Sequence, residues 1–187
     1  PWPDSARDAL LELLASGSNL IPVWEALDLA GCISRWIPSW EPIRARPQHN
    51  AIHRHTVDRH LVQTVAEAQQ HLTRVERPDI LLLTCLFHDI GKLPSAGVHH
   101  ADRGAPIARE AVAAIGLNQT DSQLVELLVR HHLTLAALAT KRDHADPATL
   151  DALVEAVQGR ADILNLLRYL TEADARAAGP AAWSPWR

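Results

Sequence analysis

The sequence has no methionine and only two cysteines, Cys32 and Cys85. Two cysteines exclude a disulfide framework, and Cys85, set inside an apolar run, reads as a small packing residue. No apolar stretch approaches the roughly 20 residues of a membrane span, and no signal-peptide pattern opens the chain. Neither charge is in excess: 18 Lys and Arg stand against 22 Asp and Glu, a net charge of −4. That balance leaves no electrostatic footprint for nucleic acid or a membrane surface. Strand-like alternation and internal repeats are missing as well. What remains is a chain of 187 residues, 47% apolar. This is enough for one good-sized core, with the cytoplasm as its default compartment. The missing methionine and the opening Pro1-Trp2-Pro3 lead to the expectation of a piece cut from a longer protein.

One residue type is abundant. Nine of the eleven histidines fall at 49, 53, 55, 60, 88, 99, 100, 131 and 132; only His71 and His144 stand apart. The stretch Ile80 to Lys92 organises the rest. It begins as a nearly unbroken apolar run and ends in His88-Asp89-Ile90-Gly91-Lys92. Pro78 in a first turn and Gly91 after the end mark a helix buried on all sides. Delivering a His and an Asp into the interior is costly unless hydrogen bonds or an ion satisfy both heads.

The remaining pattern is helical throughout. Asp4 or Ser5 caps a helix through Leu14, and a second runs from about Ile21 to Ala30. Trp36, Trp40 and three prolines mark an irregular segment pinned to the core. A helix from Thr56 to about Val75 carries Leu61, Val65, Ala68 and Leu72 on one face, with His60 in its first turns. A loop from Leu93 to His100 leads to a helix over Asp102–Ile115. Thr120, with Gln123 three residues on, opens a helix that buries Leu124, Leu127 and Leu128 and delivers His131-His132. Asp146-Pro147 opens another, to about Gln158. The last spans Arg160 to Ala178, buries Ile163, Leu166, Leu167 and Leu170, and carries Asp174. The expected fold is all-α, one domain of seven to nine helices over residues 1–187, with a metal-binding core at about 48–178.

Five separated segments each offer a metal ligand: His60, His88-Asp89, His100, His132 and Asp174. Imidazole and carboxylate without thiolate suit Mn, Fe, Zn, Ni or Co ahead of Mg. Asp89 is placed to bridge two ions, so the expectation is one or two divalent metals. A lone histidine is usually a hydrogen-bonded core or surface residue, and His71 and His144 are read so. His53 is assigned to a second layer or to substrate; His49, His55, His99 and His131 are left open. Asp58 and Asp102 are read as caps or local hydrogen-bond formers.

The order His60, His88-Asp89, Asp174, with His100 and His132 between, resembles the HD superfamily of metal-dependent phosphohydrolases. Further segments narrow the likeness: Thr56–His60, Gly104–Ala108, His132-Leu133, Leu170–Pro180, the early Arg7–Leu11 and the tail Trp183–Trp186. With these the chain is similar to the HD domain of the bifunctional uridylyltransferase/uridylyl-removing family of bacterial nitrogen signalling. The resemblance implies hydrolysis of a nucleotidyl group, UMP or AMP, from a tyrosine of the PII signal protein. It implies metal ligands at His60, His88, Asp89 and Asp174, with His100 and His132 serving a second ion. His55 and His131 stand where the family has tyrosine and asparagine, and the loop 98–103 departs from its pattern.

The chemistry expected is in-line attack of water on phosphorus with a tyrosine oxygen leaving. Metal lowers the pKa of a bound water from about 16 toward about 7. A phenol of pKa about 10 asks little of a general acid. Asp89 orients the nucleophile and Lys92 balances charge on the phosphate; Arg103 is a further phosphate candidate. Two alternatives compete: an HD phosphohydrolase acting on free nucleotides or small phosphoesters, and a catalytically silent metal-containing sensory or interaction module.

Overall fold

The computed structural model describes residues 1–48, 55–93, 99–143 and 145–183. Among them are ten α-helices, no strand, and three short 3-10 segments. In chain order the helices are α1 (Asp4–Leu14), α2 (Leu20–Leu29), α3 (Cys32–Trp36), α4 (Val57–Ala68), α5 (Pro78–Phe87), α6 (His100–Ile115), α7 (Gln119–His131), α8 (Thr134–Lys141), α9 (Pro147–Ala156) and α10 (Ala161–Ala178). The all-α expectation holds. Its range of seven to nine helices is too low, because α3 and α8 lie where the sequence predicts none. No helix among the described residues is long and apolar enough to cross a membrane.

The apolar run does become a helix sealed on every side. Each residue from Ile80 to Phe87 on α5 is buried, and α5 packs against α4, α6, α7 and α10. Pro78 fills a first-turn position where no N–H is needed. Arg77 then ties the helix start to its neighbour, reaching Asp79 and, at 2.7 Å, Asp121 on α7. Inside the helix, the buried hydroxyl of Thr84 donates to the Ile80 carbonyl at 2.7 Å, so no polar atom of that side chain is stranded. Cys85 is fully buried, as its sequence context implied.

Several boundaries move. The α4 pattern ends at Ala68 and continues as a 3-10 segment, Gln69–Arg74, in which His71 rather than Leu72 is buried. Helix α6 begins at His100, not Asp102, so His100 leaves the loop and joins the first turn. The cap of α7 is Asn118, whose side chain accepts from the Asp121 N–H at 2.9 Å, and not Thr120. Its inward face is Ser122, Val125, Leu128 and Val129; Leu124 and Leu127 are only partly covered. Helix α1 has Pro3 at its cap position and no side-chain cap, so neither Asp4 nor Ser5 acts there. The Asp146 cap is present, accepting from the Ala148 N–H at 3.0 Å. Trp40 is buried edge-on against Trp24, with ring centres 5.2 Å apart, whereas Trp36 remains 46% exposed.

After α5 the chain turns sharply through Asp89, Ile90 and Gly91, closed by bonds from the Ile90 N–H to Phe87 and the Lys92 N–H to Asp89. Gly91 touches α6 backbone to backbone. A Cβ placed on it would lie 2.0 Å from the His100 carbonyl oxygen and 2.5 Å from the Gly104 nitrogen. Only glycine fits this turn, for reasons of space rather than of backbone angle. The contact sets the end of α5 against the first turn of α6, which brings His100 to the site.

Candidate metal centre

Five helices contribute. His60 comes from the first turn of α4, His88 caps α5, and Asp89 follows in the turn. His100 is the first residue of α6, His132 caps α7, and Asp174 projects from α10. The six predicted ligands converge. Their donor atoms form two groups, each compact enough to hold an ion: His60, His88 and Asp174, then Asp89, His100 and His132.

Asp89 joins the groups. Its Oδ1 is 3.3 Å from His100 Nε2 and 3.5 Å from His132 Nε2. Its Oδ2 is 3.5 Å from His88 Nε2 and 3.8 Å from His60 Nε2. Asp174 Oδ1 lies 2.8 Å from His60 Nε2 and 3.4 Å from His88 Nε2. The rings of His60, His88, His132 and His100 follow one another at centre distances of 5.3, 5.2 and 5.3 Å.

The local fold fixes which nitrogen faces the centre. His88 Nδ1 is 2.9 Å from the Cys85 carbonyl, and His132 Nδ1 is 2.7 Å from that of Val129. A carbonyl has no hydrogen to give, so each Nδ1 carries the proton and each Nε2 presents its lone pair inward. His88 Nε2 and Asp89 Oδ1 are buried without a hydrogen bond of acceptable geometry. Two strong polar atoms so placed in the interior call for a partner of the kind an ion provides. Preset imidazole lone pairs around two carboxylates fit a divalent cation.

Electrostatics agree. Burial works to raise the Asp89 carboxyl. The His88, His100 and His132 imidazoles and the Lys92 ammonium outweigh it and hold the group well below the usual carboxylate range. Burial opposes ionisation of Asp174 too, and His88 and His60 more than compensate, so its pKa is lowered. Both carboxylates are anions at neutral pH. For His88, burial pushes the imidazole down, and the same two carboxylates outweigh it, so its pKa is raised.

Lys92 reaches back to the centre, with Nζ 2.5 Å from Asp89 Oδ2. Arg103, in the first turn of α6, donates to the Gly91 and Leu93 carbonyls at 3.4 and 3.3 Å, bracing the turn beside the site. His53 lies outside the described residues, as do His49 and His144. His99 stacks on His100 at 4.8 Å. His131 is half-buried, and burial, then Arg130, lowers its pKa. Asp58 accepts from the neighbouring Arg59 N–H at 2.9 Å and, across to another segment, from the Ala45 N–H at 2.7 Å. His71 belongs to neither group; it is stacked on Tyr169 at 4.5 Å, with Nε2 3.6 Å from Glu172. One residue that sequence reasoning passed over also reaches the site: Gln48 Oε1 accepts from Lys92 Nζ at 2.7 Å. It opens the histidine-rich segment, but no spacing marks it.

An all-α bundle that gathers a His, a buried His-Asp pair and a late helical Asp around one centre is a metal-binding helical domain of the HD type. The chain belongs to the HD domain family, whose model matches residues 57–179. Over its whole length it is 50% identical to the bifunctional uridylyltransferase/uridylyl-removing enzyme of Streptomyces coelicolor and 44% identical to that of Mycobacterium tuberculosis. The protein of the same name from Corynebacterium glutamicum is 37% identical over 98% of the chain. The chain spans 22%, 23% and 26% of these three relatives.

Proposed function

We propose that this domain is a metal-dependent phosphodiester hydrolase that removes a nucleotidyl group, UMP or AMP, from a tyrosine of a PII signal protein. The observation that carries the reading is the shared carboxylate. Asp89 turns one oxygen toward His100 and His132 and the other toward His88 and His60. The relatives named above lend the substrate, since their names include a uridylyl-removing activity. We take residues 1–187 as one unit of a longer protein, with its metal-binding core at about 48–178. An apolar core continuous from Leu10 on α1 to Ala173 on α10 supports this extent.

His60, His88 and Asp174 would hold one ion and Asp89, His100 and His132 a second, with Mn, Fe, Zn, Ni or Co favoured over Mg by the nitrogen-rich set. Bound metal supplies Lewis acidity and a hydroxide at neutral pH. The chain's own residues do the rest. Asp89 and Asp174 accept hydrogen bonds from the attacking water and fix its direction. Lys92 sets a positive charge beside the phosphate as negative charge builds on its oxygens. The tyrosine oxygen departs as a phenolate and picks up a proton from solvent.

The test offers uridylylated and adenylylated PII, free nucleotides and small phosphoesters to the domain with Mn²⁺ added. Release of nucleoside monophosphate from modified PII is the expected result. Turnover of free nucleotides with none on the modified protein would replace it with the free-nucleotide reading. No turnover at all, with metal bound, would favour a silent module.

A further inference from the structure

Gln48 belongs to neither metal group, yet it is bonded to a residue that itself touches the centre. Its Oε1 accepts from Lys92 Nζ at 2.7 Å, and its Nε2 donates to the His55 carbonyl at 3.3 Å. Lys92 Nζ is at the same time 2.5 Å from Asp89 Oδ2. The ammonium therefore has two acceptors of different kinds. Asp89 is an anion that a divalent ion also needs; Gln48 is neutral and attracts no such ion. A lysine with one anchor would be driven from the centre when a dication takes Asp89 Oδ2, since like charges repel. A lysine with two keeps the second. Its flexible stem would otherwise spread the ammonium over many rotamers.

We propose that Gln48 is a positioning residue that retains Lys92 at the reacting phosphate once metal occupies Asp89. The retention of a phosphate-facing charge rests on the hydrolytic reading above; the competition between Lys92 and metal for Asp89 does not. Gln48 thus acts through Lys92 on two quantities. It raises the rate of the chemical step, and it slightly opposes metal binding by holding a cation nearby.

The experiment is a double-mutant cycle on the 187-residue chain with Gln48→Leu, Lys92→Met and the pair together. Two readouts are taken, Mn²⁺ affinity by calorimetry and kcat and KM on nucleotidylated PII. Gln48→Leu is expected to lower kcat about tenfold, the scale of one hydrogen bond to a charged group, with KM within about twofold. Mn²⁺ should bind several-fold more tightly to Gln48→Leu, and more tightly again to Lys92→Met. In the Lys92→Met background, the Gln48 change should alter neither readout. Gln48→Asn, which keeps the amide on a shorter stem, should fall between wild type and Gln48→Leu. It guards against a folding defect, as do melting curves on every variant. An equal effect of Gln48→Leu with and without Lys92 would overturn the proposal, as would unchanged Mn²⁺ affinity in Lys92→Met. Absence of turnover in the wild type would sink the hydrolytic reading alone, because the calorimetric cycle still reports.

Discussion

Replacing Gly91 with alanine should damage the metal centre without touching a ligand. The added methyl would lie 2.0 Å from the His100 carbonyl oxygen and 2.5 and 2.8 Å from the Gly104 nitrogen and Cα. All three are main-chain atoms, so no side chain can rotate aside. To reach an ordinary contact of about 3.4 Å, α6 must back away from the turn by about 1.4 Å. Overpacking of this kind costs about 1–3 kcal/mol. For a domain of this size that corresponds to a fall in Tm of about 2–12 °C. The retreat carries His100 with it, while Asp89 stays with α5. The 3.3 Å approach of His100 Nε2 to Asp89 Oδ1 then opens, and a misplacement near 1 Å can cost about a hundredfold in rate. Circular dichroism gives Tm, and titration with Mn²⁺ gives the number and affinity of bound ions. Weakened binding in the Asp89, His100 and His132 group is expected, with the other group largely spared. A variant that melts like the wild type and binds the same ions with the same affinities would refute the close-contact reasoning.

Asp89→Asn should weaken metal binding and lower activity by more than about a hundredfold, beyond the usual cost of losing an outer-shell partner; calorimetry and product release check both. His71, in neither ligand group, supplies a pH test. Burial lowers its pKa, against the opposing pull of Glu172, so below about pH 6.5 the unfolded chain takes up a proton that the folded one refuses. Stability contributed by neutral His71 is present above that pH and declines toward its lower folded pKa, at no more than about 1.4 kcal/mol per pH unit. His71→Phe should flatten the fall in Tm between pH 7.5 and 5.5; an identical slope in both proteins would contradict the reading. Asn118→Ala, which removes the cap of α7, should cost about 1 kcal/mol in urea unfolding.

Much of the centre was legible because its chemistry is conspicuous against an apolar background. His88 and Asp89 end a run from Ile80 to Phe87 that has no polar face to turn to water, so the pair had to point into the protein. The convergence of His60, His100, His132 and Asp174 could be proposed from residue type, and their distances needed the folded chain. Weak local signals explain what was missed. Helix α8 has no fully buried residue and no side-chain cap, and α3 is only five residues long, so neither shows a periodic face. At α7, Thr120 with Gln123 read as a capping box, whereas Asn118, two residues earlier, is the side chain that reaches the Asp121 N–H. At α6, Asp102 looked like the natural start, but the helix begins two residues earlier, at His100, where Gly91 lies against its backbone. Gln48 was invisible because its partner is 44 residues away.

The carbonyls of Cys85 and Val129 that hold His88 and His132 belong to the last turns of α5 and α7. A common device for orienting a metal-bound imidazole is a carboxylate side chain, which a point mutation can delete or exchange. Here the same task falls to peptide groups three residues upstream, which every amino acid possesses. Substitutions along these helices can loosen the packing, yet none can strip the two rings of their orienting acceptors. Only inserting or deleting a residue in the final turn would do so. The direction in which these rings offer their lone pairs is therefore protected from single-residue drift, and sequence change is left free to act on the substrate side.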